Sequence, residues 1–77
     1  MIKILLFAGL KERVGKSVLT WDKTPITVAM LKEELQKVPG LDHFSSILVA
    51  VNEAYARDDV VINDGDTVAL IPPVSGG

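Results

Sequence analysis

Hydrophobic residues occur along the first part of the chain in runs of strand length. Ile2 to Ala8 is a β-prone apolar run, and we expect Gly9 to close it before a short helical turn from Leu10 to Val14. Ser17 to Trp21 alternates as a partly exposed strand does. This second strand is the natural antiparallel partner of the first, since short connections favour hairpins.

The middle of the chain has the spacing of an amphipathic helix. Its apolar residues recur every three or four positions, which places them on one stripe: Val28, Leu31, Leu35 and Val38. We therefore predict a helix from Val28 to Val38, with Thr27 as its N-cap. Pro39-Gly40 should stop it, because neither residue favours continuation.

The second half of the chain again indicates strands. Ile47 to Val51 is a continuous apolar run, and Ala54 to Arg57 can form a short strand back after the turn at Asn52-Glu53. Asn63 to Asp66 predicts a tight turn in which the glycine takes positive φ. Thr67 to Ile71 is the last predicted strand.

This order of elements predicts an α+β fold with one main helix packed across a mixed sheet of four to five strands, which is the β-grasp arrangement. We expect one domain over residues 1–71 and a tail over residues 72–77. A second core would need more apolar surface than 77 residues can bury.

One helix shields only one side of such a sheet, yet several predicted strands are apolar on both sides. Central strands are often uniformly hydrophobic, and single apolar residues on a surface are normal. These residues could therefore be ordinary central-strand and surface positions. The alternative interpretation is a patch that a partner protein buries, and its candidate residues are Phe7, Tyr55 and Ile71 together with the prolines that follow.

Composition and charge narrow the function classes. The formal net charge is −2, and without a cluster of basic residues the chain lacks the footprint of nucleic-acid binding. The apolar runs are too short to span a bilayer, so we expect a cytoplasmic protein that does not bind membranes. With no cysteine, the chain has no thiol nucleophile and no thiolate metal site.

The last six residues indicate a chemistry for the chain. Pro72-Pro73 ends the last strand and favours an extended course, so that Pro72 to Gly77 can reach roughly 20 Å. Because glycine has no Cβ, Gly76-Gly77 can thread a narrow channel and leave the terminal carbonyl open to attack. A frayed terminus is the plainer interpretation of two final glycines. The prolines favour a tail that delivers its carboxyl group to another protein's active site.

Other polar residues receive no role. His43 stands beside Asp42 without further candidate ligands nearby, so we interpret it as a solvated loop residue. Asp58 and Asp59 are adjacent in sequence and should point apart, which is poor geometry for shared acid–base work.

Four segments together resemble the small subunit of molybdopterin synthase, the MoaD family. The resemblance extends over nearly the full chain, and the last of the four segments is the most specific: Met1 to Ala8, Val51-Asn52-Glu53, Asp64 to Ala69, and Ile71-Pro72-Pro73-Val74-Ser75-Gly76-Gly77.

The resemblance implies a ubiquitin-like sulfur carrier rather than a self-sufficient enzyme. Gly77 would be adenylated by an E1-like, MoeB-like enzyme that uses ATP, and a sulfur donor protein would convert it to a thiocarboxylate. Gly76 would permit access, and the residues that direct the tail into the large synthase subunit would be Pro72, Pro73, Val74 and Ser75. Sulfur would then pass to cyclic pyranopterin monophosphate to form the molybdopterin dithiolene, within a heterotetramer. The chain itself would bind no cofactor and no metal.

Three other functions remain open. Two of them also use the carboxyl group of the Gly-Gly end, and the third does not need it. A ubiquitin-like modifier would join Gly77 to lysines of target proteins. A sulfur carrier for thiamine or another pathway would use the same thiocarboxylate. A plain interaction domain would not need Gly77.

Overall fold

The structure is a computed structural model that describes residues 1–41 and 47–72. Its elements follow the chain as β1 (Ile2–Leu6), α1 (Ala8–Val14), β2 (Val18–Trp21), β3 (Ile26–Thr27), α2 (Val28–Leu35), β4 (Leu48–Val51), β5 (Ala54–Tyr55), β6 (Val61–Ile62) and β7 (Thr67–Ile71). None of the helices in these ranges is long and apolar enough to cross a membrane.

The main sheet is mixed and has the strand order β2-β1-β7-β4-β5. The predicted antiparallel pairing of β1 and β2 is confirmed, with Ile4 opposite Leu19, and α1 lies in the connection between the two strands. The first and last strands are parallel, with Leu6 in register with Leu70, and β4 is antiparallel to β7. This five-stranded sheet and the helix α2 form the predicted β-grasp arrangement, and the predicted helical turn from Leu10 to Val14 is part of a second helix, α1.

The core lies between the sheet and α2. It is built from one side of each central strand, the buried side of α2 and the apolar residues of the connections: Ile2, Ile4, Leu6, Leu10, Ile26, Val28, Leu31, Leu35, Leu41, Ile47, Val49, Ile62, Val68 and Leu70. Burying a Val, Leu or Ile side chain contributes about 1.5 to 3 kcal/mol, so this cluster is the main source of stability.

The helix α2 begins where the sequence predicts. The Thr27 hydroxyl accepts a hydrogen bond from the backbone N–H of Met30 at 3.2 Å, which confirms the N-cap. The helix ends at Leu35, three residues earlier than the predicted Val38. Val38 still packs against the core, because its N–H bonds the Leu35 carbonyl in a turn that follows the helix.

The predicted junction between β1 and α1 is wrong. The strand ends at Leu6, and α1 begins at Ala8, so Gly9 lies inside the helix instead of closing the strand. Ala8 makes the change of direction at φ +48°, a value that glycine adopts more readily. The end of the helix is as expected: Gly15 is in the left-handed conformation, with its N–H bonded to the Lys11 carbonyl at 2.8 Å.

The structure contains two short strands, β3 and β6, that the sequence does not predict. Ile26–Thr27 pairs with Val61–Ile62 in a separate two-stranded sheet, with Ile26 and Ile62 directly opposite and buried. Two-residue strands have no detectable period, so only the tertiary contact defines them. The fifth strand is also shorter than predicted, since it ends at Tyr55 and not at Arg57.

Candidate functional site

The tail begins at the end of the central strand of the main sheet. β7 lies third of five, between β1 and β4, and ends at Ile71; Pro72 is half-buried and is the last described residue. The predicted site residues Pro73, Val74, Ser75, Gly76 and Gly77 lie outside the described residues, as does His43. What the structure defines is therefore the surface from which the tail departs.

Two apolar residues border this departure point. Leu48 lies directly opposite Ile71 in the antiparallel β4–β7 pair, and its side chain is 52% exposed. Phe7 follows β1 at the same edge, because β1 and β7 are parallel and Leu6 is in register with Leu70. Phe7 keeps an extended backbone at φ −125° and ψ 156°, and 47% of its surface is exposed.

The sheet has an outer face, which we define as the side away from α2. Directly opposed residues share a face, so the register puts one row of small and apolar residues across all five strands: Val18, Leu5, Ala69, Ala50 and Tyr55. A second row, nearer the tail, contains Ile71 and Leu48. On the other side of the first row, the face becomes polar at Thr20, Lys3 and Thr67. The apolar part of the outer face therefore adjoins the tail.

The structure brings the predicted partner-face residues onto this one surface. Phe7 and Ile71 lie beside the departure point, whereas Tyr55 lies two strands from Ile71 on the edge strand β5 and is 73% exposed. Sequence reasoning missed Leu48, Leu5 and Ala69. The apolar run from Ile47 to Val51 carried the signal for Leu48, but its side of the sheet depends on register.

The turn between β4 and β5 is held by a polar network. Asn52 uses its whole side-chain amide: Nδ2 donates to Asp66 Oδ1 at 3.1 Å, and Oδ1 accepts from the Thr67 N–H at 3.0 Å. Asp66 Oδ2 accepts from the Asn63 N–H at 2.8 Å. These bonds join the β4–β5 turn to the predicted Asn63–Asp66 turn, in which Gly65 has φ +91°.

The same bonds set the charge state of Asp66. The backbone N–H of Asn63 and then the side-chain amide of Asn52 hold the pKa of the Asp66 carboxyl below its ordinary value, because both donate to the ionised form. The carboxylate is therefore charged at neutral pH and fixes the two turns against each other.

The remaining polar residues of the described ranges include an ion pair between α2 and the segment before β6. Asp58 pairs with Lys32 of α2 at 2.8 Å, so it has a partner that the sequence did not indicate. Residues 1–41 and 47–72 contain no group of three or more potential metal ligands.

Known proteins resemble this chain in sequence over nearly its whole length. The model of the ThiS family matches residues 4–77. The chain is 40% identical over 80 residues to the molybdopterin synthase sulfur carrier subunit of Arabidopsis thaliana, covering 99% of this chain and 82% of the relative. The proteins of the same name from Mycobacterium tuberculosis and Escherichia coli are 46% and 34% identical; the matches cover 99% and 100% of this chain and 96% and 100% of the relatives.

Solved structures share the fold over nearly the whole chain. The archaeal modifier protein SAMP1 of Haloferax volcanii superposes with a TM-score of 0.83 at 30% identity, with 99% and 98% of the two chains covered. A subunit in a complex of subunits 1 and 2 of molybdopterin-converting factor from Helicobacter pylori has a TM-score of 0.72 at 22% identity, with 99% and 97% covered. These neighbours confirm the predicted ubiquitin-like β-grasp fold.

Proposed function

The chain belongs to the ThiS family and to its molybdopterin synthase sulfur carrier subunits, and we propose that it carries sulfur as a thiocarboxylate on Gly77. The observation that supports this proposal is that the central strand β7, which precedes the tail in sequence, ends at Ile71 at the border of an exposed apolar face. A carrier needs such an arrangement, because the body must dock while the terminus enters another active site.

The chemistry starts from a carboxylate, which is a poor acyl donor. Reaction of the Gly77 carboxylate with ATP releases pyrophosphate and forms an acyl-adenylate, whose leaving group is AMP. Sulfide equivalents from a donor protein displace AMP and leave a thiocarboxylate. Its sulfur bonds to a carbon of cyclic pyranopterin monophosphate while a carbon–oxygen bond at that carbon breaks, with the oxygen leaving as water or with the phosphate. Water then cleaves the acyl–sulfur bond, so that the carboxylate returns and sulfur stays on the pterin. Two such transfers supply the dithiolene.

This chain's own residues would position the terminus. Gly76 would leave space around the reacting carbonyl, and Pro72 to Ser75 would direct the tail. Since the chain has no cysteine, sulfur cannot rest on a side-chain thiol. The catalytic groups would belong to the activating enzyme and to the large synthase subunit.

The proposed partners are proteins that recognise the outer face. A large synthase subunit would cover Phe7, Leu48 and Ile71 while it receives the tail, and the assembly would contain two copies of each subunit. The complex of subunits 1 and 2 from Helicobacter pylori supports a two-component assembly. An E1-like adenylyltransferase and a sulfur donor protein would load the carrier in the cytoplasm.

Deletion of Gly77 tests the proposal. The purified chain is incubated with the activating enzyme, ATP and a sulfur donor, and its intact mass is measured. We expect the full-length chain to gain the mass difference between sulfur and oxygen, and the variant without Gly77 to gain nothing while its thermal unfolding stays unchanged. A variant that still supports molybdopterin formation at normal rates would refute the carrier role.

A second function is favoured by one observation. SAMP1 of Haloferax volcanii, a protein named as a modifier, is 30% identical to this chain and has the higher TM-score of the two structures described above. In that function, a lysine amine of a target protein would capture the same acyl-adenylate, and an isopeptide bond would form with release of AMP. Cell lysates would then contain conjugates that are heavier than the chain by the mass of each target, and these would disappear when Gly77 is deleted.

A further inference from the structure

The outer face contains a depression between β1, β7 and the β4–β5 turn. Its lining combines apolar side chains with one carboxylate, and its residues are Leu5, Phe7, Asn52, Glu53, Thr67 and Ala69. Phe7 stands at the tail end of this depression, and the Asn52-Glu53 turn stands at the opposite end, beside Thr67, the first residue of β7. The depression therefore runs along β7 from an aromatic ring to an acidic group.

Backbone strain is concentrated at the two ends of the depression. In the described ranges, the non-glycine residues with positive φ are Ala8 (+48°), which follows Phe7, and the turn residues Asn52 (+50°) and Glu53 (+71°). Residues other than glycine disfavour positive φ because of their Cβ atom. Such strain persists only where the surrounding structure enforces it. At the turn, the hydrogen bonds of Asn52 to Asp66 and Thr67 enforce it. Glu53 is thus held in place by its neighbour.

The carboxylate of Glu53 has no internal partner among the ion pairs of the described residues, which involve Asp64, Asp58 and Glu34 as their acids. Glu53 is exposed. The side-chain amide of the neighbouring Asn52 is already hydrogen-bonded through both its nitrogen and its oxygen, to Asp66 and to the Thr67 N–H. Lys3 lies on the same face opposite Thr67 but is not within ion-pair distance of Glu53. Glu53 is therefore available to an external cation at the rim of an apolar surface.

We propose that this depression receives an arginine side chain of the protein that accepts the tail, with its stem on Leu5 and Ala69 and its guanidinium on the Glu53 carboxylate. Arginine fits this lining because its aliphatic stem packs on apolar surface while its planar fork pairs with a carboxylate. A partner with neutral or acidic residues at that point would leave Glu53 partly desolvated and unpaired. The ion pair between this arginine and Glu53 favours binding of proteins that carry the arginine over proteins that lack it. This role rests on the carrier function proposed above.

The test measures binding of the full chain to a large synthase subunit from the same cells by calorimetry at low and moderate salt. We expect Glu53→Gln to weaken binding about tenfold at low salt and to reduce the salt dependence, because an ion pair at a rim contributes electrostatically. Glu53→Lys should weaken it further. Glu53→Gly removes the backbone strain and the charge together, so it should bind as poorly as Glu53→Gln even if it folds more stably.

Glu33→Gln is the matched control, since it removes one exposed negative charge from α2, on the opposite side of the sheet. It should bind as the unmodified chain does. Equal affinity of Glu53→Gln and the unmodified chain, or equal losses in Glu53→Gln and Glu33→Gln, would overturn the arginine pocket. Sulfur loading of Gly77 is measured in the same samples: if the unmodified chain is neither loaded nor bound, the carrier function itself fails, whereas loading and binding without a Glu53 effect refute only this inference.

Discussion

Leu48 and Ile71 face each other across the β4–β7 pair, on the side of the sheet that α2 leaves uncovered. Ile71 is the last residue of the central strand, so this apolar pair stands where the carrier tail begins. Neither residue belongs to the core cluster. Their apolar character is therefore not required by the internal packing of the domain, and a partner protein that buries them would account for it.

Charged substitutions in this pair should separate folding from association. Ile71→Arg and Leu48→Arg should each weaken binding to the large synthase subunit by at least roughly thirtyfold, because a desolvated charge would replace an apolar contact in the proposed interface. Unfolding midpoints should change little, since both side chains face outward. Calorimetric titration and urea unfolding measure the two effects.

Met30→Arg is the control for these variants. Met30 is 57% exposed on α2, so the substitution adds the same charge to the other side of the molecule. We expect its affinity to equal that of the unmodified chain. Tight binding by Ile71→Arg, or an equal loss in Met30→Arg, would contradict a docking role for the outer face.

The Asp66 network predicts a pH dependence of stability. Because hydrogen bonds from Asn63 and Asn52 lower the pKa of Asp66 in the folded state, the unfolded chain binds the proton more tightly than the folded chain does. The stabilisation is complete above the unfolded pKa of about 3.9 and is lost as the pH falls through the lower folded value. Asp66→Asn should remove this component.

Urea unfolding from pH 7 down to pH 2 would measure that effect. The stability difference between the unmodified chain and Asp66→Asn should shrink as the solution becomes more acidic. Asp22→Asn, at an exposed aspartate outside the network, provides the comparison. A difference that is independent of pH would show that Asp66 acts through shape and not through charge.

The N-cap of α2 should make a measurable contribution. Thr27→Ala removes the acceptor of the Met30 N–H and should lower the free energy of unfolding by about 1 kcal/mol. Thr27→Ser keeps the hydroxyl and should cost much less. A loss in the serine variant as large as in the alanine variant would indicate that the methyl group, and not the hydrogen bond, is responsible.

Gly40 is needed for a close backbone approach. It has φ +96°, and a Cβ there would lie 2.9 Å from the carbonyl oxygen of Arg13. Gly40→Ala should therefore destabilise the fold by roughly 2 to 3 kcal/mol, from the strained φ and the contact together. Gly15→Ala shares the positive φ of +83° but meets no atom within 4 Å. It should cost only about 1 kcal/mol in the same urea experiment.

The sequence predicted the elements whose pattern is local. Three apolar residues of the predicted stripe, Val28, Leu31 and Leu35, are buried as one side of α2, and Thr27 caps it. The period of a helix and the chemistry of its cap extend over only a few residues, so they are visible without a fold. The Ala8 junction was missed because a non-glycine residue adopts a left-handed conformation there, which the residue type does not announce.

By itself, the sequence determined the main strands of the β-grasp arrangement, the amphipathic helix α2, the absence of a thiol and the Gly-Gly pair that the carrier chemistry requires. Only the tertiary structure decided that β7 lies between β1 and β4, that Leu48 faces Ile71, and that Glu53 shares a depression with Phe7. Strand period assigns residues to alternate faces but does not say which strands are neighbours or in which register. A shared surface depends on both, because its residues are distant in sequence and meet only after the strands have paired.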